Sequence, residues 1–382
     1  MQSVAQGWLV YRLEGRPLDL SKVALAGYLP ILCLAPLAGV AADRLPRRRV
    51  LLITQSLLGL LALGLAVLVW TGRATVPLVV LFAGGVGLVS ALDVPTRQSF
   101  LVEMTNAEDL PNAIALNSSI FNGARVVGPA IAGVLVAAVG EAPCFFLNAA
   151  SYVAVVVALA LMRLPPAPSR PERATLDAGF LTGLRYVWRT PVLRNLLLLL
   201  GIVCGLGVQY NMLMPVFAKT VLGAGADGYG LLLTMGGVGS VASSLQLASR
   251  RYSRVQHRRN LLLGLTVFAL AVLALAQCRG FALALVCQTL AGWGMVRYLA
   301  TTNTLLQLFV EERYRGRMMG LHTVMFLGTQ PLGSLILGAL AQRFGAPRAA
   351  LLSGCVSLAA AAWLALRLRR LALRERAAVS TG

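Results

Sequence analysis

Apolar stretches of about 20 residues recur eleven times along this chain, and no other feature restricts its fold as strongly. They fall at roughly 21–42, 50–70, 75–95, 112–139, 143–163, 193–216, 227–249, 260–277, 281–307, 317–341 and 346–366. A helix needs about 20 apolar residues to cross about 30 Å of hydrocarbon, and only helices and closed barrels satisfy every backbone polar group there. The pattern predicts an all-α integral membrane protein. Of the 382 residues 58% are hydrophobic and 13% charged, against about 25% charged in a soluble domain, so no stretch remains for a separate soluble domain. Ahead of the first complete run, residues 1–13 (MQSVAQGWLVYRL) are apolar and aromatic but short. They read as the outer half of a twelfth helix whose beginning is missing.

The net charge of +20 would suggest a nucleic-acid partner in a soluble chain. The positions of the charges argue otherwise. Of the 34 Lys and Arg residues, 24 sit in alternate loops and in the tail, 8 lie on the opposite side, and Arg125 and Arg297 fall inside spans. By the positive-inside rule the richer side, with the C-terminus, is expected in the cytoplasm. Nucleic-acid binding is set aside. The six cysteines form no C-x-x-C pair, and His257 and His322 have no neighbouring ligand set, so no metal is expected. A phosphate-cradling glycine-rich loop with its lysine is also absent, which argues against a built-in ATPase, and no other cofactor is implied.

The longest hydrophilic stretch, 163–194, carries Pro165, Pro166, Pro168 and Pro171 and then an amphipathic segment, AGFLTGLRYVWRT. It divides the spans six and six. The expected organisation is an N-terminal bundle at 1–163, a linker at 164–192, a C-terminal bundle at 193–366 and a basic tail at 367–382. A weak internal repeat supports two related halves, with Pro129 and Pro331 in register, as in transporters built from repeats.

Between the first two complete spans lies Gly39-Val-Ala-Ala-Asp43-Arg44-Leu-Pro46-Arg47-Arg48-Arg49. This resembles the signature loop of the major facilitator superfamily, except that Pro46 stands where the family usually has glycine. The strings QSVAQGWLVYRLEG, LDVPTRQSFLVE, LPNAIALNSSIFNGARVVGPAIAGVL, CFFLNAASY, GLRYVWRTPVLRNLLLL and RYRGRM, in order over most of the chain, are similar to the bacterial branch that includes the enterobactin exporter and many drug exporters. The resemblance implies two pseudo-symmetric six-helix bundles in a bacterial inner membrane. It also implies a monomer surrounded by lipid that exports a small amphiphilic molecule by alternating access, usually with protons as the driving ion. It implies no enzymatic activity. The alternatives are uptake or flipping of a lipid-like substrate, and a sensor that does not transport.

On this reading Gly39, Asp43, Arg44, Arg47 and Arg48 form a cytoplasmic gate, with Asp93 and Arg97 facing them from the inner end of the fourth span. An Asp opposite arginines and a helix N-terminus makes a charge-assisted latch. All fourteen acidic residues are expected in loops or at span ends. Arg125, in the middle of its span, reads either as an attractor of an anionic substrate or as a hydrogen-bonding hub, since an unpaired arginine there costs about 2.5–3.5 kcal/mol. Gln6, Asn122, Asn148, Gln209, Asn211, Arg297, Asn303 and Gln330 are the other candidates to line a central cavity, or to join helices instead. Gly128, Pro129 and Gly133 resemble the exporter motif of the fifth span and serve equally as ordinary helix packing.

Overall fold

The computed structural model describes residues 1–105, 109–162, 179–249, 252–311 and 314–380. Residues 164–178 of the expected linker lie outside them, as do the side chains of Gly39, Asp43, Arg44, Asn122 and Arg125. No strand occurs among the described residues. The helices are α1 (Gln2–Glu14), α2 (Pro17–Arg44), α3 (Arg47–Trp70), α4 (Val76–Glu103), α5 (Leu110–Val139), α6 (Ala142–Leu161), α7 (Gly179–Arg189), α8 (Pro191–Ile202), α9 (Met214–Val216), α10 (Ala226–Ala248), α11 (Arg254–Gln277), α12 (Phe281–Phe309), α13 (Arg315–Thr323), α14 (Gln330–Phe344) and α15 (Ala346–Ser380).

Local chemistry fixes many of the ends. Proline occupies the first turn of α4, α5, α6, α8 and α14, where its missing N–H would have had no intrahelical partner. Ser253 and Gln256 form a reciprocal capping box that starts α11. Gly15 ends α1 at φ 69°, a left-handed conformation that side chains resist. Ten helical stretches among the described residues are long and apolar enough to cross a membrane. Their outward faces carry large exposed apolar side chains, Leu60 at 63%, Leu81 at 68% and Leu161 at 76%, a surface that suits lipid rather than water.

The structure departs from the expected spans in three places. The fourth helix does not stop near residue 95 but continues through Pro95 to Glu103, so Asp93 lies well inside it. The runs at 193–216 and 317–341 are not continuous α-helices. The first passes from α8 into a π turn (Val203–Gly207), a 3-10 segment (Val208–Leu213), α9 and a second π turn (Phe217–Val221). The second is interrupted by a π turn, Val324–Gly328, between α13 and α14. The amphipathic segment within the expected linker forms α7, and the last helix carries on through the basic segment to Ser380.

The chain divides into two compact units: Met1–Ala174 with Met214–Thr234, and Thr175–Leu213 with Met235–Gly382. In the first, α2 packs on α4 and α3 packs on both α4 and α6. α1 is a packed element despite its 13 residues, burying Val4, Ala5, Leu9, Val10 and Tyr11. Its Arg12 reaches the N-terminus of α6, where Glu141, itself buried, accepts from Nε at 2.7 Å and Nη2 at 3.0 Å. Residues 214–234 join this unit through a close approach of α10 to α5. A Cβ placed on Gly230 would lie 2.5 Å from Gly133 Cα and 2.8 Å from the Pro129 carbonyl oxygen. Beside this seam Trp8 stacks on Tyr229 with ring centroids 6.0 Å apart. In the second unit α11 packs on α12 and α15, the same arrangement that α3 makes with α4 and α6.

Candidate functional site

Each unit holds a buried polar hub among its described residues. In the first, Asp93 on α4 is 2% exposed. Its Oδ1 accepts from Thr54 Oγ1 at 2.8 Å and Gln55 Nε2 at 2.7 Å, both on α3, while its Oδ2 lies 3.6 Å from Arg97 Nη2 one turn on. The sequence expectation that carboxylates keep to loops and span ends is corrected here. A carboxylate can sit this deep because neighbouring donors satisfy it, which repays much of its desolvation. In the second unit Arg297 on α12 is 8% exposed. Its Nε and Nη2 donate to Asn260 Oδ1 on α11 at 3.3 and 2.9 Å, its Nη1 donates to Gln246 Oε1 on α10 at 3.2 Å, and its guanidinium lies 4.7 Å from the Trp293 ring centroid. The hubs are of opposite sign: a carboxylate gathering donors in one unit, a guanidinium gathering acceptors in the other.

Arg297 is held by neutral amide oxygens and an aromatic face, so each acceptor carries weight. Asn260→Leu removes the acceptor for two of its N–H groups and is expected to lower stability by about 2–3 kcal/mol. Thermal unfolding in detergent checks this. An unchanged midpoint contradicts the bracing role.

The gate residues that are described engage α4 and α6. Arg47 Nη1 pairs with Glu103 Oε2 at 2.9 Å, joining the start of α3 to the end of α4. Arg48 donates to the carbonyl oxygens of Leu159 and Ala160 at 2.8 and 2.7 Å, where cations favour the negative end of α6. These contacts lock the cluster together around Leu51, Phe100 and Leu159, all buried. Gly39, Asp43 and Arg44 belong to the last turns of α2.

The cavity candidates divide into groups. Asn148 donates to Gln2 on α1, and Gln6 lies half-buried on the same helix. Gly128 and Pro129 stand one turn before Gly133, at the seam with Gly230. Asn303 accepts from Gln307 at 3.1 Å on the exposed side of α12. Gln209, Asn211 and Gln330 come together with the interrupted helices. Gln209 Nε2 donates to the Cys204 carbonyl at 2.9 Å, and Ser353 Oγ donates to the Leu206 carbonyl at 2.7 Å, so side chains supply donors to carbonyls of that π turn. Gln330 Nε2 does the same for Phe326 in the other π turn, at 2.9 Å. The first π turn packs on the start of α14, because the backbone of Gly205 passes where a Cβ on Gly333 would have to be. Against the unwound segment, Gln288 of α12 donates to Asn211 Oδ1 at 3.1 Å and accepts from the Tyr210 hydroxyl at 3.3 Å.

Broken helices with satisfied carbonyls and convergent amides are where membrane transporters put polar contacts to substrate, since irregular backbone at that depth must be buried in protein or line a cavity. Gln288, Gln246, Asn260, Thr54 and Gln55 were not picked out by sequence. Each is a polar residue inside an apolar run, and that is the signal that marked the others. Among the described residues no group of three or more His, Cys, Asp or Glu could hold a metal ion.

Comparison with known proteins agrees with this architecture. The sequence profile of the MFS_3 family, described as a transmembrane secretion effector, matches residues 1–381. The multidrug efflux pump Tap of Mycolicibacterium fortuitum is 29% identical over 353 residues, covering 90% of this chain and 85% of that protein. The staphyloferrin A transporter of Staphylococcus aureus is 27% identical over 347 residues, covering 90% and 86%. Among solved structures, the nucleoside transporter NupG superposes with a TM-score of 0.71 at 13% identity, over 96% of this chain and 94% of that one, which speaks for the fold alone. A bacterial homologue of the lysosomal transporter Spinster gives 0.68 at 16% identity over 96% of each chain.

Proposed function

The chain belongs to the transmembrane secretion effectors of the major facilitator type, a family of multi-pass membrane transporters rather than enzymes, and from that premise we propose that it exports a small amphiphilic molecule, drug-like or siderophore-like, driven by the proton gradient. The observation that carries the reading is the pair of interrupted helices meeting at Gly205 and Gly333, with Gln209, Asn211, Gln288 and Gln330 gathered around them. Amides and a tyrosine in an apolar setting suit a ligand that is mostly hydrocarbon with a few polar groups. Gln6, Asn122, Arg125 and Asn148 are the proposed substrate-contacting residues of the N-terminal half, Asn122 and Arg125 with side chains outside the described ones.

The transport cycle on this reading alternates the exposure of one pocket to the two sides of the membrane. Asp43 with Arg44, Arg47 and Arg48 latches one conformation, and Asp43 and Asp93 are the carboxylates nearest to hand for carrying the exchanged proton. The arginine-rich helix ends and the C-terminal segment are assigned to the cytoplasm of a bacterial inner membrane, following the charge asymmetry.

Asp43→Asn tests the latch. The variant is expected to insert and fold as the parent does, by size-exclusion profile, yet to lose nearly all turnover of a fluorescent amphiphile such as ethidium in proteoliposomes with an imposed pH gradient. Full activity removes the latch. Movement in both directions regardless of gradient favours a flippase instead, and binding without movement favours a sensor.

A further inference from the structure

In the second unit the residues Cys278, Arg279 and Gly280 connect α11 to α12, at the opposite end of α11 from its arginine-rich start. Cys278 closes α11, its N–H on the Leu275 carbonyl at 3.1 Å, and Cys287 lies about two turns into α12. The two sulfurs are 3.7 Å apart, in hydrogen-bond contact, and each residue is 4% exposed. Both are free thiols here. Close packing of the two helices keeps them in register. A Cβ on Gly294 would lie 2.6 Å from the Phe268 backbone nitrogen, and one on Gly264 2.7 Å from that of Tyr298, so α11 and α12 have little freedom to slide.

We propose that Cys278 and Cys287 are a redox-modification site, oxidised outside the cytoplasm to a disulfide that staples α11 to α12. A disulfide holds its sulfurs about 2.05 Å apart, so the pair must close by about 1.7 Å. Cys278 lies outside the regular turns of either helix, which leaves its backbone room to give that much. The compartment follows from charge. Arg254, Arg258 and Arg259 start α11 on the face assigned to the cytoplasm, which puts the 278–280 connection on the other face, where disulfides form and persist. The inference rests on that orientation and not on the substrate or the direction of transport. The oxidant is a disulfide, R–S–S–R, carried by a thiol oxidase of the cell envelope. The Cys278 thiolate attacks one of its sulfurs and expels one R–S⁻, and the Cys287 thiolate then attacks the Cys278 sulfur, forming the internal bond and expelling the second. The two thiol protons end on the leaving thiolates, and the two electrons given up by the pair reduce the donor to two thiols. Both sulfurs are buried in the finished fold, so the exchange takes place while the two helices are still assembling. The next residue, Gln288, is the one that donates to Asn211 and accepts from Tyr210, so the staple fixes the turn of α12 that carries it.

The test uses the full chain in growing cells, precipitated with trichloroacetic acid and alkylated with N-ethylmaleimide in denaturant, so that no thiol oxidises after harvest. Trypsin cuts after Arg259, Arg279 and Arg297, which puts the two cysteines on separate peptides, 260–279 and 280–297. Mass spectrometry is expected to find these peptides joined by a bond that dithiothreitol splits, and maleimide on the other four of the six cysteines. Cys278→Ser and Cys287→Ser are each expected to free the remaining partner, so that all five cysteines are alkylated. A parent chain alkylated at all six overturns the proposal, as does a disulfide that joins other cysteines instead. A pair that links only when the purified protein is treated with diamide also overturns it, and means that the thiols meet as described but face a reducing compartment.

Discussion

Replacing Asp93 by leucine is expected to cost about 2–5 kcal/mol of stability and to abolish transport. The carboxylate is buried and its Oδ1 is the acceptor for both Thr54 and Gln55. Taking it away removes the acceptor of the Gln55 amide and leaves Thr54 Oγ1 only the Leu51 carbonyl at 3.2 Å, and each buried group left unsatisfied costs about 1–3 kcal/mol. Asp93→Asn separates structure from mechanism. Its amide oxygen keeps both hydrogen bonds, so stability is expected to fall by less than about 1 kcal/mol, but the negative charge beside Arg97 is gone. If Asp93 carries the exchanged proton, gradient-driven transport by Asp93→Asn falls by about 100-fold while thermal stability stays near that of the parent. Transport at the parental rate in Asp93→Asn would leave Asp93 a structural hub only.

The second large effect is expected at the glycine seam of the first unit. At Gly230 a side chain would meet the backbone of α5, both Gly133 Cα and the Pro129 carbonyl, rather than a movable side chain. The helices must separate to admit it. Gly230→Leu is therefore expected to lower the unfolding midpoint by the equivalent of about 1–3 kcal/mol or more, and to cut transport at least tenfold. A double-mutant cycle sharpens the test. Gly133→Ala and Gly230→Ala fill the same gap, so once one has pushed α5 and α10 apart the second costs less, giving non-additivity of about 0.5 kcal/mol or more. Strict additivity would mean that the two helices do not approach as closely as Gly133 and Gly230 do here.

Much of this architecture is legible in the sequence, because a lipid-facing helix must be apolar along its whole length and therefore announces itself by run length alone. The expected break between halves rests on prolines outside the described residues, and the two compact units divide differently, with Met214–Thr234 joining the first. The family is legible from the loop around Asp43. Tertiary contacts hide the rest. Gly205 and Gly333 are far apart in the chain, and nothing local says that they meet or that the helices are interrupted at Val203–Gly207 and Val324–Gly328. Asp93 reads as the end of a span because a charge and Pro95 follow an apolar run, yet the helix continues through both once Thr54 and Gln55 supply donors. Arg12 and Glu141 pair across 129 residues, a match that periodicity cannot supply. The internal repeat indicated related halves, but not that the polar hubs built on them would carry opposite charge, Asp93 in one and Arg297 in the other.

The proposal that this chain is a gradient-driven exporter is tested most directly by ethidium accumulation in inverted proteoliposomes, arginine-rich face outward, with the interior made acidic. The expected result is uptake that builds with the pH gradient, collapses on adding a protonophore and is lost in Asp93→Asn. Accumulation no greater than in protein-free vesicles, or uptake indifferent to the protonophore, would contradict it.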